Sequence, residues 1–421
     1  MKNSTQDWEH LLKEGTVLPF FQPVISLESK SVAGYECLGR LDLDGKLMSL
    51  GNFFQAKSLQ RQGSRLRDSE AKKWKMQIDS TVRNSAIEKF ALWNDSSLKL
   101  FINISPAFLA EELSNLQDYT SEFMKLTDSF GVDPQNIVIE ITEDAVEQSL
   151  DDFKPLINLY KRKGYIIAID DLGKNSSNLD RIALFRPDIV KVDMHMLQRA
   201  LEDQSYQEIL HSLARLTQNL GISLLYEGVE NSAELLMAMG HGSRYLQGYF
   251  FSEPVHDFID RDHYGRHLES GLSRFMENIS QKIADKVGWE KRILDILSQM
   301  HIDTYSVERN FPELEKIFRT DASIFRFFVT DLFGNQISPN FVCRTDFGIE
   351  TDYSSLKTNW CWRPYFINHV YHSRIQNESW IISEAYHDIR EEKILRTFSR
   401  TIEGKYYIFI DVDYGLSSGF E

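Results

Sequence analysis

An apolar run at Ile166–Ile169 ends abruptly on two adjacent carboxylates, Asp170 and Asp171, and a glycine-containing loop follows. The run has the composition of a buried strand. Two acidic groups are costly inside a strand, because each needs a partner or a metal ion to offset its desolvation. At the end of a strand the same two groups can bind cations.

The same pattern recurs in the part of the chain before Pro254, where short β-rich runs alternate with longer segments. The candidate strands are Phe20–Ile25, Ser31–Arg40, Leu98–Ser105, Asn136–Thr142, Tyr165–Asp171, Ile189–Asp193, Ile222–Gly228 and Tyr245–Phe250. Segments between them, such as Asp152–Lys163 and Tyr206–Leu220, have apolar residues at helical spacing. The alternation predicts an α/β fold of the TIM-like β/α barrel type, although an open doubly wound sheet would give a similar pattern. The polar segment Asp44–Lys73 predicts a surface excursion before a helix that runs to about Trp93.

Length and charge narrow the class of protein. A chain of 421 residues exceeds one ordinary domain, so two are expected. The net charge of −15 argues against non-specific binding to nucleic acid, and any anionic ligand must meet local cations or metal ions. The three cysteines, Cys37, Cys343 and Cys361, are too scattered for a disulfide framework or a zinc cluster. Without a spanning helix or a signal-peptide core in the sequence, a cytoplasmic protein is expected.

Polar residues lie at or near the carboxyl ends of the candidate strands. They are Glu36, Asn103, Glu140, Asp170, Asp171, Lys191, Glu227 and Gln247. Any one of them alone would be interpreted as a helix cap or a solvated charge. Because the carboxyl ends of barrel strands form one face, we expect these residues to converge there.

Converging carboxylates would repel one another unless cations lay between them. Oxygen ligands select Mg²⁺, Mn²⁺ or Ca²⁺ over zinc. Lys191 and Arg40 are suited to bind a phosphate group. Metal ions bound by oxygen atoms, together with phosphate-binding cations, predict metal-assisted hydrolysis of a phosphoester.

The same residues lie in motifs that resemble those of EAL domains, which are phosphodiesterases that linearise cyclic di-GMP to pGpG. The motifs are Phe21–Val24, Gly34–Arg40, Asn103–Ser105, Glu140–Glu143, Asp170-Asp171, Lys191–Asp193, Glu227–Glu230 and Gln247–Tyr249. They occur in the order of the family and cover about residues 8–256. The order of the parts, an EAL domain first and a PAS/Cache-like domain last, resembles the YkuI-type members.

This resemblance implies a role for each matching residue. Glu36, Asn103, Glu140 and Asp170 match the ligands of one metal ion, and Asp170, Asp171 and Glu227 match those of a second. The ions implied are Mg²⁺ or Mn²⁺, with Ca²⁺ as a candidate inhibitor. Lys191 matches the group that positions the attacking water or neutralises charge, and Glu227 matches either a general base or a metal ligand. Gln22, Leu38, Arg40 and Gln247 match positions that contact the dinucleotide. Glu143, Asp193 and Glu230 are interpreted as groups that orient the ligands.

The sequence departs from the family pattern at three places. Cys37 stands where the family has alanine, and Gly39 stands where leucine is usual. The segment Leu172–Asn178 replaces Phe-Gly-Thr-Gly-Tyr-Ser-Ser, a loop that in the family orders the second metal site and contacts the dimer partner. Two functions therefore stay open. The chain is either a cyclic di-GMP phosphodiesterase, or a weakly active or silent receptor that signals occupancy to a partner.

The predicted domains are an EAL barrel at 1–256, a helical connector at 257–300 and a smaller α+β domain at 301–421. In the last, Trp360–Phe366, Tyr386–Asp388 and Phe409–Asp411 resemble PAS/Cache sensor domains. Arg363 beside aromatic residues suits a carboxylate ligand, and an aspartate suits an amine. The alternative is an ordinary aromatic core with Arg363 in a structural ion pair. The resemblance also implies a homodimer.

Overall fold

The structure, a computed structural model, describes residues 8–55, 60–61, 64–65, 68–116, 119–141, 150–173, 179–300, 320–344, 348–375 and 379–415. The chain forms two compact units, which divide between Met276 and Glu277. Among the described residues, no helix combines the length and the apolar character that crossing a membrane requires.

The first unit alternates strands and helices. Its strands are β1 (Thr16–Ser26), β2 (Ser31–Leu43), β3 (Lys46–Ser49), β4 (Gln60–Arg61), β5 (Ser64–Arg65), β6 (Lys99–Ile104), β7 (Ile137–Ile141), β8 (Ile166–Leu172), β9 (Ile189–Val192), β10 (Ser223–Tyr226) and β11 (Ser243–Leu246). Its helices are α1 (Trp8–Glu14), α2 (Gly51–Gln55), α3 (Asp68–Trp93), α4 (Pro106–Ser114), α5 (Glu122–Ser129), α6 (Lys154–Lys163), α7 (Leu179–Phe185), α8 (Met194–Ala200), α9 (Gln204–Leu220) and α10 (Ser232–Gly240). Helix α11 (Gly265–Ser298) lies in the segment predicted as a connector.

The sheet of the first unit closes into a barrel. Strand β1 pairs with both β2 and β11, and the other barrel strands follow in the order β10, β9, β8, β7 and β6 back to β2. Closure excludes the open doubly wound sheet and confirms the TIM-like barrel. Strand β1 is antiparallel to both of its neighbours, whereas the remaining barrel pairs are parallel. The reason is the short turn at residues 27–30, because a turn of that length can join only antiparallel strands.

The expectation of a surface excursion at Asp44–Lys73 is wrong for part of that segment. Leu50 and Phe53 are completely buried and belong to the core between the barrel and its helices. Leu50 takes up space beside Gly39, where an added Cβ would lie 2.9 Å from Leu50 Cδ1. The glycine that departs from the family pattern is therefore matched by a large residue that packs against it.

An inner apolar layer fills the barrel below its carboxyl ends. Seven barrel strands each contribute one member, namely Val24, Phe101, Val138, Ala168, Ile189, Leu225 and Tyr245. Side chains two positions apart on a strand point to the same face. The residue that is two positions nearer the carboxyl ends of the parallel strands must therefore also point into the barrel.

The second unit is an antiparallel sheet with a helix. Its elements are β12 (Ile324–Asp331), β13 (Asn340–Arg344), β14 (Gly348–Asp352), α12 (Pro364–Ser373), β15 (Ile381–Ile382), β16 (Tyr386–His387), β17 (Ile394–Ile402) and β18 (Tyr406–Asp413). One face of β12 places Phe327 in a core with residues of α11, and the other places Phe328 against Phe366 of α12. The predicted combination of a barrel and a smaller α+β domain is thus confirmed.

Candidate active site at the mouth of the barrel

The polar residues predicted at the strand ends do meet at one end of the barrel, which we call the mouth. Asn103, Glu140, Asp170, Lys191, Glu227 and Gln247 each follow a member of the inner apolar layer by two positions. Glu36 lies further from the end of its strand than predicted, because β2 continues past Arg40 to Leu43 and pairs with β3. It reaches the mouth because Gln22 of antiparallel β1 lies opposite it in register.

Lys191 lies at the centre of this cluster and is 1% exposed. Its Nζ is 2.6 Å from Glu227 Oε1 and 2.7 Å from Glu140 Oε1. The same nitrogen is 3.2 Å from Asp170 Oδ1 and 3.5 Å from Glu36 Oε2. A single ammonium group thus faces four carboxyl groups.

Amide side chains hold Glu36 in place. Asn103 Nδ2 donates to Glu36 Oε1 at 2.9 Å, and Gln247 Nε2 donates to Glu36 Oε2 at 2.7 Å. Gln247 Nε2 also lies 3.2 Å from Gln22 Oε1, and Gln22 Nε2 donates to the carbonyl of Ser252. The contact between Gln22 and Ser252 could not be predicted from the sequence, because every residue has a main-chain carbonyl and none is marked as the acceptor.

The pKa values of the cluster are set by burial and by the interaction of several carboxyl groups with a single amine, that of Lys191. Burial disfavours the charge on Lys191, but the carboxylates outweigh it and hold the pKa of its amine well above the usual value. Burial raises the pKa of Glu140 and of Glu227 well above the usual value, and Lys191 offsets only part of this. Burial opposes ionisation of Glu36 too, yet Lys191 and the amide donors bring the pKa of that carboxyl below its usual value.

Three carboxylates at the mouth have the geometry of a cation site. One oxygen each from Asp170, Asp171 and Glu227 can be chosen so that all lie within 4.8 Å of one another. Asp171 has a φ of 58°, a conformation that non-glycine residues seldom adopt. Its N–H donates to Asp170 Oδ1 at 2.9 Å. Backbone strain of this kind is found where neighbouring structure fixes a functional residue.

The donor set also fits a metal ion at Glu140. Both of its carboxylate oxygens are buried and have no hydrogen-bond partner of normal geometry, despite the close approach of Lys191. A fully buried carboxylate without such partners is expensive unless a cation compensates it. Carboxylate and amide oxygens are the ligands that Mg²⁺, Mn²⁺ and Ca²⁺ prefer. The residues present therefore fit the metal ions that the sequence predicted.

The predicted ligand-binding residues on β2 share the face of Glu36. Leu38 and Arg40 follow it by two and four positions and are partly exposed. Arg40 Nη1 donates to the carbonyl of Gly39 at 3.0 Å. Burial lowers the pKa of its guanidinium, and Tyr249 and Glu36 oppose that effect. Among the described residues no carboxylate forms an ion pair with Arg40, so its charge is available to an anion.

The residues predicted to orient the ligands form no hydrogen bond or ion pair with the cluster around Lys191 in the described part of the chain. Asp193 caps α8, where its Oδ1 accepts from the N–H of His195 at 2.8 Å, which is the common role of a carboxylate after a strand. Glu230 is exposed, and its N–H donates to Glu234 Oε2. Glu143 lies outside the described residues, as does the segment 174–178 of the altered loop.

Sequence comparison assigns the family. The profile of the EAL domain matches residues 5–254, and that of the EAL-domain associated signalling protein domain matches residues 258–417. The first match covers more than half of the chain, which therefore belongs to the EAL domain family.

Individual relatives extend over both units. The EAL-domain containing protein YkuI of Bacillus subtilis (strain 168) is 30% identical over 406 residues, which are 94% of each chain. The crystal structure of Bacillus subtilis YkuI in complex with substrate c-di-GMP and calcium matches 95% of each chain with a TM-score of 0.80 and 28% identity. The probable cyclic di-GMP phosphodiesterase PdeG of Escherichia coli (strain K12) is 26% identical over 250 residues, which are 59% of this chain and 46% of PdeG.

Proposed function

We propose that this chain binds cyclic di-GMP at the mouth of the barrel and hydrolyses it to linear pGpG with the help of divalent cations. The observation that carries the proposal is the position of Lys191, which is buried among four carboxyl groups and supplies a single positive charge next to them. The crystallised YkuI complex contains both c-di-GMP and calcium, which supports a dinucleotide site next to a cation site.

The residues that would hold the cations follow from the donor set. Glu36, Asn103, Glu140 and Asp170 would hold one ion, and Asp170, Asp171 and Glu227 would hold a second. When bound, such ions activate water and stabilise charge on phosphate oxygens. Mg²⁺ and Mn²⁺ are the proposed activating ions, and Ca²⁺, which accepts looser coordination, is the proposed inhibitor.

The chain's own groups would contribute binding and charge stabilisation. Arg40 would pair with a phosphate of the dinucleotide. Lys191 would stabilise the negative charge that develops on the phosphate during displacement. Glu227 would either accept a proton from the attacking water or remain a ligand. Gln247 Oε1 is buried without a hydrogen-bond partner, so it would accept from an N–H group of the ligand.

A receptor without turnover is the second candidate, and the altered loop favours it. Leu172 and Gly173 are the described part of this loop, and Gly173 has a φ of 108°. A Cβ atom added at Gly173 would lie 1.9 Å from Met196 Sδ, so Met196 packs directly against this glycine. If the loop holds the second cation poorly, the dinucleotide would bind at Arg40 and Gln247 without being cleaved.

Conversion of cyclic di-GMP to pGpG by the purified full chain separates the two candidates. Chromatography over several hours with Mg²⁺, and then with Mn²⁺, should show product that Ca²⁺ suppresses. The Lys191→Ala variant should give far less product. If the wild type gives no more product than the variant but still binds the dinucleotide, the hydrolase proposal fails and the receptor replaces it.

Three further expectations belong to this proposal. The unit after the barrel is proposed to be a PAS/Cache-like sensor that regulates the barrel. The chain is proposed to form a homodimer and to work in the cytoplasm. The boundaries 1–256, 257–300 and 301–421 remain the proposed division into domains.

A further inference from the structure

The second unit contains a cavity of about 240 Å³ at the N-terminal end of α12. Phe328, Trp360 and Tyr365 give it an apolar wall. Its charged side chains are Arg326, Arg363, Arg390 and Asp388. A cavity with aromatic walls and a small number of placed polar groups is a common form of ligand site.

Two of the arginines already have partners. Arg326 Nη2 lies 2.6 Å from Asp388 Oδ2, and Arg326 Nε donates to Asp411 Oδ2 at 2.7 Å. Arg390 is exposed and donates to the hydroxyl groups of Ser354 and Ser355. The charge of Arg326 is therefore compensated by two carboxylates, and that of Arg390 is exposed to water.

Arg363 differs from both. Its Nε is buried and has no hydrogen-bond partner, and in the described part of the chain no carboxylate forms an ion pair with it. The guanidinium donates a hydrogen bond to the side chain of Tyr365 and lies 5.3, 5.5 and 5.0 Å from the ring centroids of Trp362, Tyr365 and Tyr386. Aromatic faces stabilise a cation less than a hydrogen-bonded carboxylate does. A partly buried guanidinium of this kind lacks an anion.

The acidic groups nearby decide which anion fits. Asp388 Oδ1 accepts from the N–H groups of Arg390 and Glu391, and its Oδ2 pairs with Arg326. Asp411 Oδ1 accepts from Thr397 and Tyr386. The charge of both aspartates is therefore compensated by Arg326, and an amine at the predicted acceptor would have to compete with this guanidinium. An ammonium group in this cavity would be repelled by the arginines, because the nearby carboxylate of Asp388 is already paired with Arg326.

We propose that this cavity binds a small organic acid that has no ammonium group. Its carboxylate pairs with Arg363, and its apolar part packs against Phe328, Trp360 and Tyr365. Since an apolar cavity of about 150 Å³ can hold benzene, a cavity of about 240 Å³ suits a ligand the size of benzoate. The positive end of the α12 dipole acts in the same direction as the arginine.

The test uses the full chain in a buffer without carboxylate or phosphate, with 4-fluorobenzoate as the fluorine NMR probe. The resonance should broaden in the presence of the protein, and excess benzoate should restore it whereas benzamide should not. In calorimetry, 3-phenylpropanoate should bind at least about tenfold more tightly than phenylalanine, which differs by its ammonium group.

Variants assign the binding to Arg363. Arg363→Met should weaken binding of benzoate by at least about tenfold, whereas Arg374→Met, at the exposed end of the same helix, should leave it unchanged. Equal competition by benzamide, equal affinity for phenylalanine, no binding at millimolar concentrations, or full affinity in the folded Arg363→Met protein would each overturn the proposal. If that variant does not fold by circular dichroism, the competition between benzoate and benzamide on the wild type still decides.

Discussion

Nζ of Lys191 lies 2.6 Å from Oε1 of Glu227, although the two residues belong to different strand ends. Strands β9 and β10 are parallel neighbours, with Lys191 opposite Leu225. Glu227 is two positions further along, on the same face of the barrel wall. The contact thus follows from the register of two strands, and the same register rule brings Glu140 and Asp170 to the amine.

Replacing Lys191 by methionine should lower kcat by at least about a hundredfold and leave the affinity for cyclic di-GMP mostly intact. The reason is that a group acting on charge developed during the reaction stabilises the transition state more than the bound substrate. Steady-state kinetics and calorimetry measure the two effects separately. Lys163→Met, at an exposed position at the end of α6, is the control. Unchanged kcat in the Lys191 variant would remove this amine from the chemistry.

Replacing Asp170 by alanine should abolish hydrolysis, because this residue lies next to Lys191, Asp171 and Glu227 and is proposed to bind both cations. The variant should also lose the thermal stabilisation that Mn²⁺ or Ca²⁺ gives to the wild type, since fewer ligands bind the ion in the folded state. Differential scanning calorimetry with and without the ion measures this. Asp152→Ala, at an exposed site, should keep the stabilisation; equal stabilisation in both variants would contradict the assignment.

Replacing Arg40 by alanine should weaken binding of cyclic di-GMP by about 1.5–3 kcal/mol, the usual loss when a hydrogen bond to a charged group is removed. Calorimetry with Mg²⁺ or Ca²⁺ present measures the dissociation constants. Arg215→Ala, on the exposed side of α9, removes the same charge at a distance from the mouth. The role assigned to Arg40 fails if the two variants bind equally well.

Much of the barrel could be predicted from the sequence, because most of its strands are apolar runs that end near a polar residue. The strand β1 was predicted at Phe20–Ile25, but its antiparallel direction was not, although only a short turn separates it from β2. The burial of Leu50 and Phe53 could not be predicted, because these two residues lie in a polar segment without the apolar spacing of a helix or strand.

The convergence of the polar residues at the mouth could be predicted for a physical reason. The pairing of charged residues in the second unit could not. Parallel strands in register force Glu140, Asp170 and Lys191 together once the barrel closes. Which arginine pairs with Asp388 depends on the long-range packing of β12 against β18. No spacing in the sequence distinguishes Arg326 from Arg363 as the partner.

Restoring the family's loop residues at Leu172–Ser176, as Phe-Gly-Thr-Gly-Tyr, should raise turnover of cyclic di-GMP with little change in affinity. The substitution alters the residues next to Asp171 but not Arg40 or Gln247, so it acts on the cation site more than on the dinucleotide. The rate of pGpG formation and the dissociation constant are compared with those of the wild type. A grafted protein that folds and gains no rate would show that another part of the chain limits turnover.

The stability of the second unit should fall in acid because of His369. This residue is completely buried on α12, where Nδ1 lies 2.8 Å from Ser399 Oγ and Nε2 lies 3.2 Å from Thr401 Oγ1. Burial lowers its pKa to about 4. Between about pH 6.5 and about pH 4, His369 is protonated in the unfolded chain but not in the folded one. The contribution of neutral His369 to the free energy of unfolding is therefore fully present above about pH 6.5, and it is lost as the pH falls to about 4.

The full effect is on the order of 3 kcal/mol, and it is an upper bound because partial opening would admit water. Hydrogen exchange of the β17 and β18 amides in the full chain, at about pH 7.5 and about pH 4.5 after correction for intrinsic rates, measures it within this unit. His369→Gln, which keeps a hydrogen-bonding side chain without the titration, should lose most of the pH dependence. His387→Gln, at an exposed site on β16, should keep it. If the His369 variant and the wild type lose protection equally in acid, another group is responsible.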